Sequence, residues 1–108
     1  MSGLFGTTPF RAASLLTGFD EAKKRTVWEK GEEIPLQDRN VYRRDAFGYI
    51  IQFSEHGNRS SAYGWEFDHY PIPKSQGGSD DITNLRPLHW RMNCALSDNG
   101  GLGGLLSR

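Results

Sequence analysis

The chain has 108 residues, with thirteen basic and thirteen acidic side chains and a formal charge of zero. That length holds one domain with a modest core, and the balanced charge argues against a protein that coats DNA without regard to sequence, which would normally be basic. A single cysteine, Cys94, excludes an internal disulfide and a cysteine-only zinc site, and fits a reducing compartment.

Residues 1–9 are rich in Gly and Thr and read as loose chain. They carry no basic segment followed by a long apolar run, so no signal peptide is expected. No stretch approaches the ~20 apolar residues that span a bilayer; the expected setting is soluble and cytoplasmic. Residues 10–18, with Phe10, Ala12, Ala13, Leu15 and Leu16, predict one short helix ended by Gly18. Residues 20–30 are highly charged and anchored by Val27 and Trp28, and Gly31 and Pro35 then open a loop over 31–40. From Tyr49 to Phe53, β-branched and aromatic residues predict a strand.

Residues 54–64 form a polar turn, and Trp65–Tyr70 predicts a second strand. Alternation places Trp65, Phe67 and His69 on one face and Glu66 and Asp68 on the other. Pro71 and Pro73 stop that strand, and 74–83 has turn chemistry throughout. Asn84–Pro87 reads as a short strand or a bend. Pro87 suits the position just before a helix, predicted over 88–97 with Leu88, Met92 and Leu96 on one stripe. The tail over 100–104 is too glycine-rich for regular structure.

The chemistry gathers late in the chain. Asp68 and His69 are adjacent, with Asn84 and Asn93 behind them. Phosphodiester hydrolysis needs a base for the attacking water and positive charge for the oxygens that become negative. A neutral imidazole such as His69 takes a proton near pH 7. Mg²⁺ prefers oxygen ligands and keeps several waters, so Asp68 and the carboxamide oxygen of Asn93 suffice for it. Taken singly, each residue has a plainer reading. Asp-His at a strand end is a common surface feature, Asn84 after a loop is a turn or cap residue, and His89 beside Trp90 suits a packed histidine. Asn93 is mildly unfavourable in a helix by propensity, which hints at another reason for it. Adjacent strand residues also point to opposite faces, so Asp68 and His69 share one phosphate only if the strand ends or twists there.

Residues 65–93 resemble the HNH endonuclease motif, with its Asp-His pair (Asp68, His69), Gly-Gly-Ser-Asp loop (Gly77 to Asp80), Asn-Leu (Asn84, Leu85) and closing Asn93 in the family's order and spacing. Val27–Gly31, Arg44–Gly48 and Tyr63–Glu66 are similar to segments preceding the motif in small bacterial and phage HNH proteins, so the resemblance covers roughly residues 27–98.

The resemblance implies an α+β fold of the ββα-metal type, two antiparallel strands with a long loop and a helix clasping one divalent ion. An N-terminal extension (1–26) with a short helix, a further strand or hairpin, and a Gly-rich tail (99–108) would surround it. It implies a metal-dependent DNA endonuclease in which His69 is the general base and Asp68 and Asn93 are metal ligands. Asn84 would brace the loop and orient His69. The motif's final letter makes His89 a rival ligand, but Asn93 stands 24 residues after His69, where the family's helical ligand falls. The expected ion is Mg²⁺, with Mn²⁺, Ni²⁺ or Zn²⁺ as substitutes. Lys74, Arg86 and Arg91 are the expected phosphate contacts. One site cuts one strand per event, so a double-strand cut needs a dimer or two successive nicks.

The chain departs from the family at several places. His89 and Met92 stand where many relatives carry zinc-binding cysteines, Phe47 stands where they often have a Cys, and Leu96 replaces a frequent Lys. These changes bear on DNA affinity more than on chemistry. They leave a rival expectation, an HNH-shaped module that binds nucleic acid or protein without cutting. A toxin or phage-packaging nuclease is a third context.

Overall fold

A computed structural model describes residues 7–97, with side chains from Gly18 onward. The chain is α+β. Helix α1 (Thr7–Trp28) is followed by strands β1 (Glu32–Glu33), β2 (Tyr42–Arg44), β3 (Ile50–Gln52), β4 (Trp65–His69) and β5 (Leu85–His89), then helix α2 (Trp90–Ser97). Strands β1, β2 and β3 form one antiparallel sheet in that order, and β4 and β5 form a separate antiparallel hairpin. Among the described residues no helix is long and apolar enough to cross a membrane. The Gly-rich tail and the first six residues lie outside the described part.

Helix α1 corrects two expectations. It begins at Thr7, inside the segment read as loose, and it runs through Gly18 to Trp28. One glycine costs a helix only about 1 kcal/mol against alanine, and the charged segment beyond it is held by tertiary contacts. The Arg25 guanidinium lies 4.0 Å and the Lys24 ammonium 4.8 Å from the centre of the Phe53 ring. Cations over aromatic faces let a charged helix surface cover an aromatic core. The last turn of α1 then delivers Val27 and Trp28, both fully buried. The boundary expected at residues 26/27 therefore falls inside a continuous helix.

The core is built of Val27, Trp28, Ile51, Trp65 and Leu85, with Phe53 and Phe67 packed against it. The Trp28 ring meets Trp65 at 5.3 Å and Phe53 edge-on at 5.4 Å. Its indole N–H donates to the Arg39 carbonyl at 3.0 Å, so the ring is buried without an orphaned donor. Burying two tryptophans contributes roughly 4–6 kcal/mol each before entropy is counted. The core thus joins α1, the three-stranded sheet and the β4–β5 hairpin.

Strand β4 follows the expected alternation, with Trp65 buried in the core and Phe67 against it. Its register with β5 pairs Trp65 with His89, Glu66 with Leu88, Phe67 with Pro87, Asp68 with Arg86 and His69 with Leu85. Pro87 therefore lies in a strand, not at a helix start, and α2 begins at Trp90. The Pro87 ring is buried opposite Phe67. Proline is tolerated in an edge strand, where its missing N–H removes no ladder bond. Leu88 consequently belongs to β5, and the expected Leu88–Met92–Leu96 stripe keeps only its last two members on the helix.

Candidate active site

Strands β4 and β5 and helix α2 follow one another as strand, long loop, strand, helix, and this unit carries every residue of the expected site. The face of β4 away from the aromatic core presents Glu66 and Asp68. Asp68 is 1% exposed and accepts from Arg86 Nε at 2.7 Å across the hairpin. The Arg86 guanidinium lies 4.0 Å from the centre of the Tyr70 ring and 5.5 Å from that of Phe47. The residue expected to touch phosphate is thus packed against the expected metal ligand.

Glu66, one turn of the pleat earlier, is gripped by Arg59 through Nε at 2.5 Å and Nη2 at 2.9 Å. It also accepts from Asn93 Nδ2 at 2.9 Å. Arg59 holds the Glu66 carboxyl below its ordinary pKa; partial burial opposes this, and Asn93 adds to it. The Asn93 bond places α2 over the Glu66–Asp68 face. Because its amide nitrogen serves Glu66, the Asn93 oxygen is the atom left to act as an acceptor.

His69 ends β4. Its Nε2 is 2.7 Å from Asp80 Oδ1, and Lys74 Nζ is 3.4 Å from that same oxygen. Hydrogen bonding from His69, then from Lys74, holds the Asp80 carboxyl below its usual range. The loop that brings Asp80 back over 11 residues is tied by Asn84. The Asn84 oxygen accepts the Ile72 N–H at 2.9 Å, and its amide donates to the carbonyls of Ile72 at 2.9 Å and Ser79 at 3.1 Å. Its own carbonyl accepts the Tyr70 N–H at 3.0 Å. Gly78 fits this loop because a Cβ there would stand 1.9 Å from the Ile72 carbonyl oxygen. Asp81 caps the 3₁₀ turn Ile82–Asn84. Lys30, from the chain just after α1, donates to the Leu85 carbonyl at 2.6 Å and also to that of Ile82.

The rival ligand His89 is 5% exposed, and both of its ring nitrogens are engaged. Nδ1 accepts the Arg91 N–H at 3.1 Å, and Nε2 lies 2.8 Å from the Ala62 carbonyl. Accepting at Nδ1 fixes the proton on Nε2, which donates to Ala62. The ring stacks on Trp90 and leans on Tyr49. His89 is built into the β5–α2 junction and offers no lone pair to an ion. Of the other expected phosphate contacts, Lys74 is exposed beside Asp80, and Arg91 lies 5.0 Å over the Trp90 ring.

Three functional-looking carboxylates escaped sequence reasoning. Glu66 and Asp80 fall within the segments that resemble the HNH family, but no pattern in the sequence marked either carboxylate for a role. Asp45 carried a signal: Asp at the first position and Gly at the fourth of Asp45–Gly48 is a type I turn signature. Its buried carboxylate accepts the N–H groups of Phe47 at 2.9 Å, Tyr49 at 2.8 Å and His89 at 3.0 Å. It joins the β2–β3 turn to the end of β5, at His89, one of the positions where many HNH relatives carry a zinc-binding cysteine and this chain does not.

Among the described residues no three His, Cys, Asp or Glu side chains gather closely enough to hold a metal. The donors expected from the sequence are oxygens, the Asp68 carboxylate, which already accepts from Arg86, and the Asn93 carboxamide. Such a sparse, hard set suits Mg²⁺, which retains waters, and does not suit a tetrahedral zinc site. An α+β chain with a strand–loop–strand–helix unit bearing paired polar residues is the class these observations define. Scans against protein-family models, curated proteins and solved structures return no match.

Proposed function

We propose that the chain is a metal-dependent DNA endonuclease of the HNH type. The observation that carries the reading is that Asp68, His69, Asn84 and Asn93 belong to one hairpin–helix unit, with Asn84 tying the loop between its strands. Asp68 and Asn93 would hold one Mg²⁺. When bound, it supplies the positive charge that stabilises the oxygens of a breaking phosphodiester. His69 takes the proton of the attacking water. Asn84 keeps the loop folded beside His69, a supporting role of the kind that orients catalytic imidazoles. Lys74 and Arg91 supply positive charge near the site for the DNA backbone, and Arg86 is shared between Asp68 and that charge. The working place is the cytoplasm, where Cys94 persists as a thiol.

Plasmid nicking tests this. Supercoiled DNA should relax with Mg²⁺ or Mn²⁺, and not with EDTA or in His69→Ala. Unchanged supercoils under every metal would reject it. One observation favours a second reading, a module that docks DNA without cutting: Arg86 already neutralises Asp68. Retarded DNA migration without nicking would select that reading.

A further inference from the structure

We infer that Asp80 is a positioning residue for His69: its carboxylate fixes the imidazole in the tautomer protonated at Nε2 and sets the ring's angle at the end of β4. This deepens the nuclease reading and rests on it for its catalytic meaning. The geometry is direct. Nε2 and Asp80 Oδ1 are 2.7 Å apart. An ionised carboxylate can only accept, so the hydrogen in that bond sits on Nε2. A neutral ring so protonated carries its lone pair on Nδ1.

The loop is folded to make this contact. Gly77 takes a left-handed conformation at φ 86°. Gly78 passes against Ile72 with no room for a side chain. Asn84 bonds both Ile72 and Ser79, so the segment before Asp80 is tied to the segment after β4. Lys74, three residues before the glycine pair, holds the same Asp80 oxygen at 3.4 Å. Asp80 and Lys74 are both exposed, at 63% and 69%. An exposed pair of this kind adds little to folding, so a loop that brings Asp80 onto the imidazole, with Lys74 on the same carboxylate oxygen, calls for another reason. A carboxylate that fixes a histidine's tautomer is an established device for proton transfer.

The test has two arms. Long-range ¹⁵N–¹H spectra of His69, taken with the ring neutral, should show the Nε2–H form dominant in the wild type. Asp80→Ala should shift the ring toward a mixture, and Asp80→Glu should keep the wild-type form. Dominant Nδ1–H in the wild type, or an unchanged tautomer in Asp80→Ala, overturns the assignment. In the second arm, Asp80→Asn should lower kcat for plasmid nicking by about tenfold or more, with KM and Mn²⁺ affinity unchanged and partial recovery in Asp80→Glu. Wild-type nicking with an unaltered kcat in Asp80→Asn also overturns it. If the wild type does not nick at all, the nuclease reading fails, and the spectra still decide what Asp80 does.

Discussion

Asp68 and Arg86 face each other across the β4–β5 hairpin, 2.7 Å from Nε to Oδ2, with the carboxylate 1% exposed. A buried carboxylate keeps its charge only where partners replace the water it lost. Arg86→Ala should therefore destabilise the fold by about 2–4 kcal/mol. Replacing both residues with leucine should restore part of that loss, because an apolar pair carries no unpaired charge. Urea denaturation of Asp68→Leu, Arg86→Leu and the double leucine variant measures the coupling. Strict additivity would show that the pair is not coupled.

Asn84 makes three side-chain hydrogen bonds to the loop, each contributing about 1 kcal/mol. Asn84→Ala should cost roughly 2–3 kcal/mol and speed hydrogen exchange at the Ile72 amide. Asn84→Asp should fare no better, since a carboxylate cannot donate to the two carbonyls. An Ile72 amide that exchanges at the wild-type rate in Asn84→Ala would contradict the tie.

Asp45 accepts three backbone N–H groups from two separate elements. Asp45→Ala should cost about 3 kcal/mol by thermal or chemical unfolding. Asp45→Asn should cost less, because its oxygen can still accept from Phe47 and Tyr49, while its amide cannot accept from His89. Equal losses in the two variants would show that the Phe47 and Tyr49 bonds are worth little and that the His89 bond carries the loss.

His56 lies against Trp65 at 4.4 Å and Phe67 at 4.8 Å. Burial there, with Lys24 second, holds its pKa below 6.5, and the opposing Glu66 and Glu21 do not overcome this. The unfolded chain thus binds a proton that the fold resists. The stability gained from neutral His56 is full above the unfolded pKa and is lost as pH falls through the lower folded one. The urea midpoint should drop between about pH 7.5 and about pH 5.5, and His56→Phe should show a smaller drop. Equal drops would assign the effect to other groups.

The sequence made some of this legible and hid the rest for identifiable reasons. Strand β4 was readable because Trp65, Glu66, Phe67 and Asp68 alternate cleanly, and the long loop because its glycines, prolines and aspartates leave no other reading. The start of α2 was misplaced because Pro87 signals a helix start and an edge strand equally well, and only its pairing with Phe67 decides. The length of α1 was hidden because Gly18 looks like a stop and charged residues look like surface, whereas Lys24 and Arg25 pack on Phe53. The Asp68–Arg86, Glu66–Asn93 and His69–Asp80 contacts join residues 11 to 27 positions apart. Local pattern carries no record of such pairings.

The most direct measurement is anomalous diffraction from crystals soaked in Mn²⁺. A single peak bonded to the Asp68 carboxylate and the Asn93 carboxamide oxygen, on the Glu66 face of β4, is the predicted result. A peak held by other residues, or none at saturating Mn²⁺, would contradict a metal-dependent hydrolytic site here.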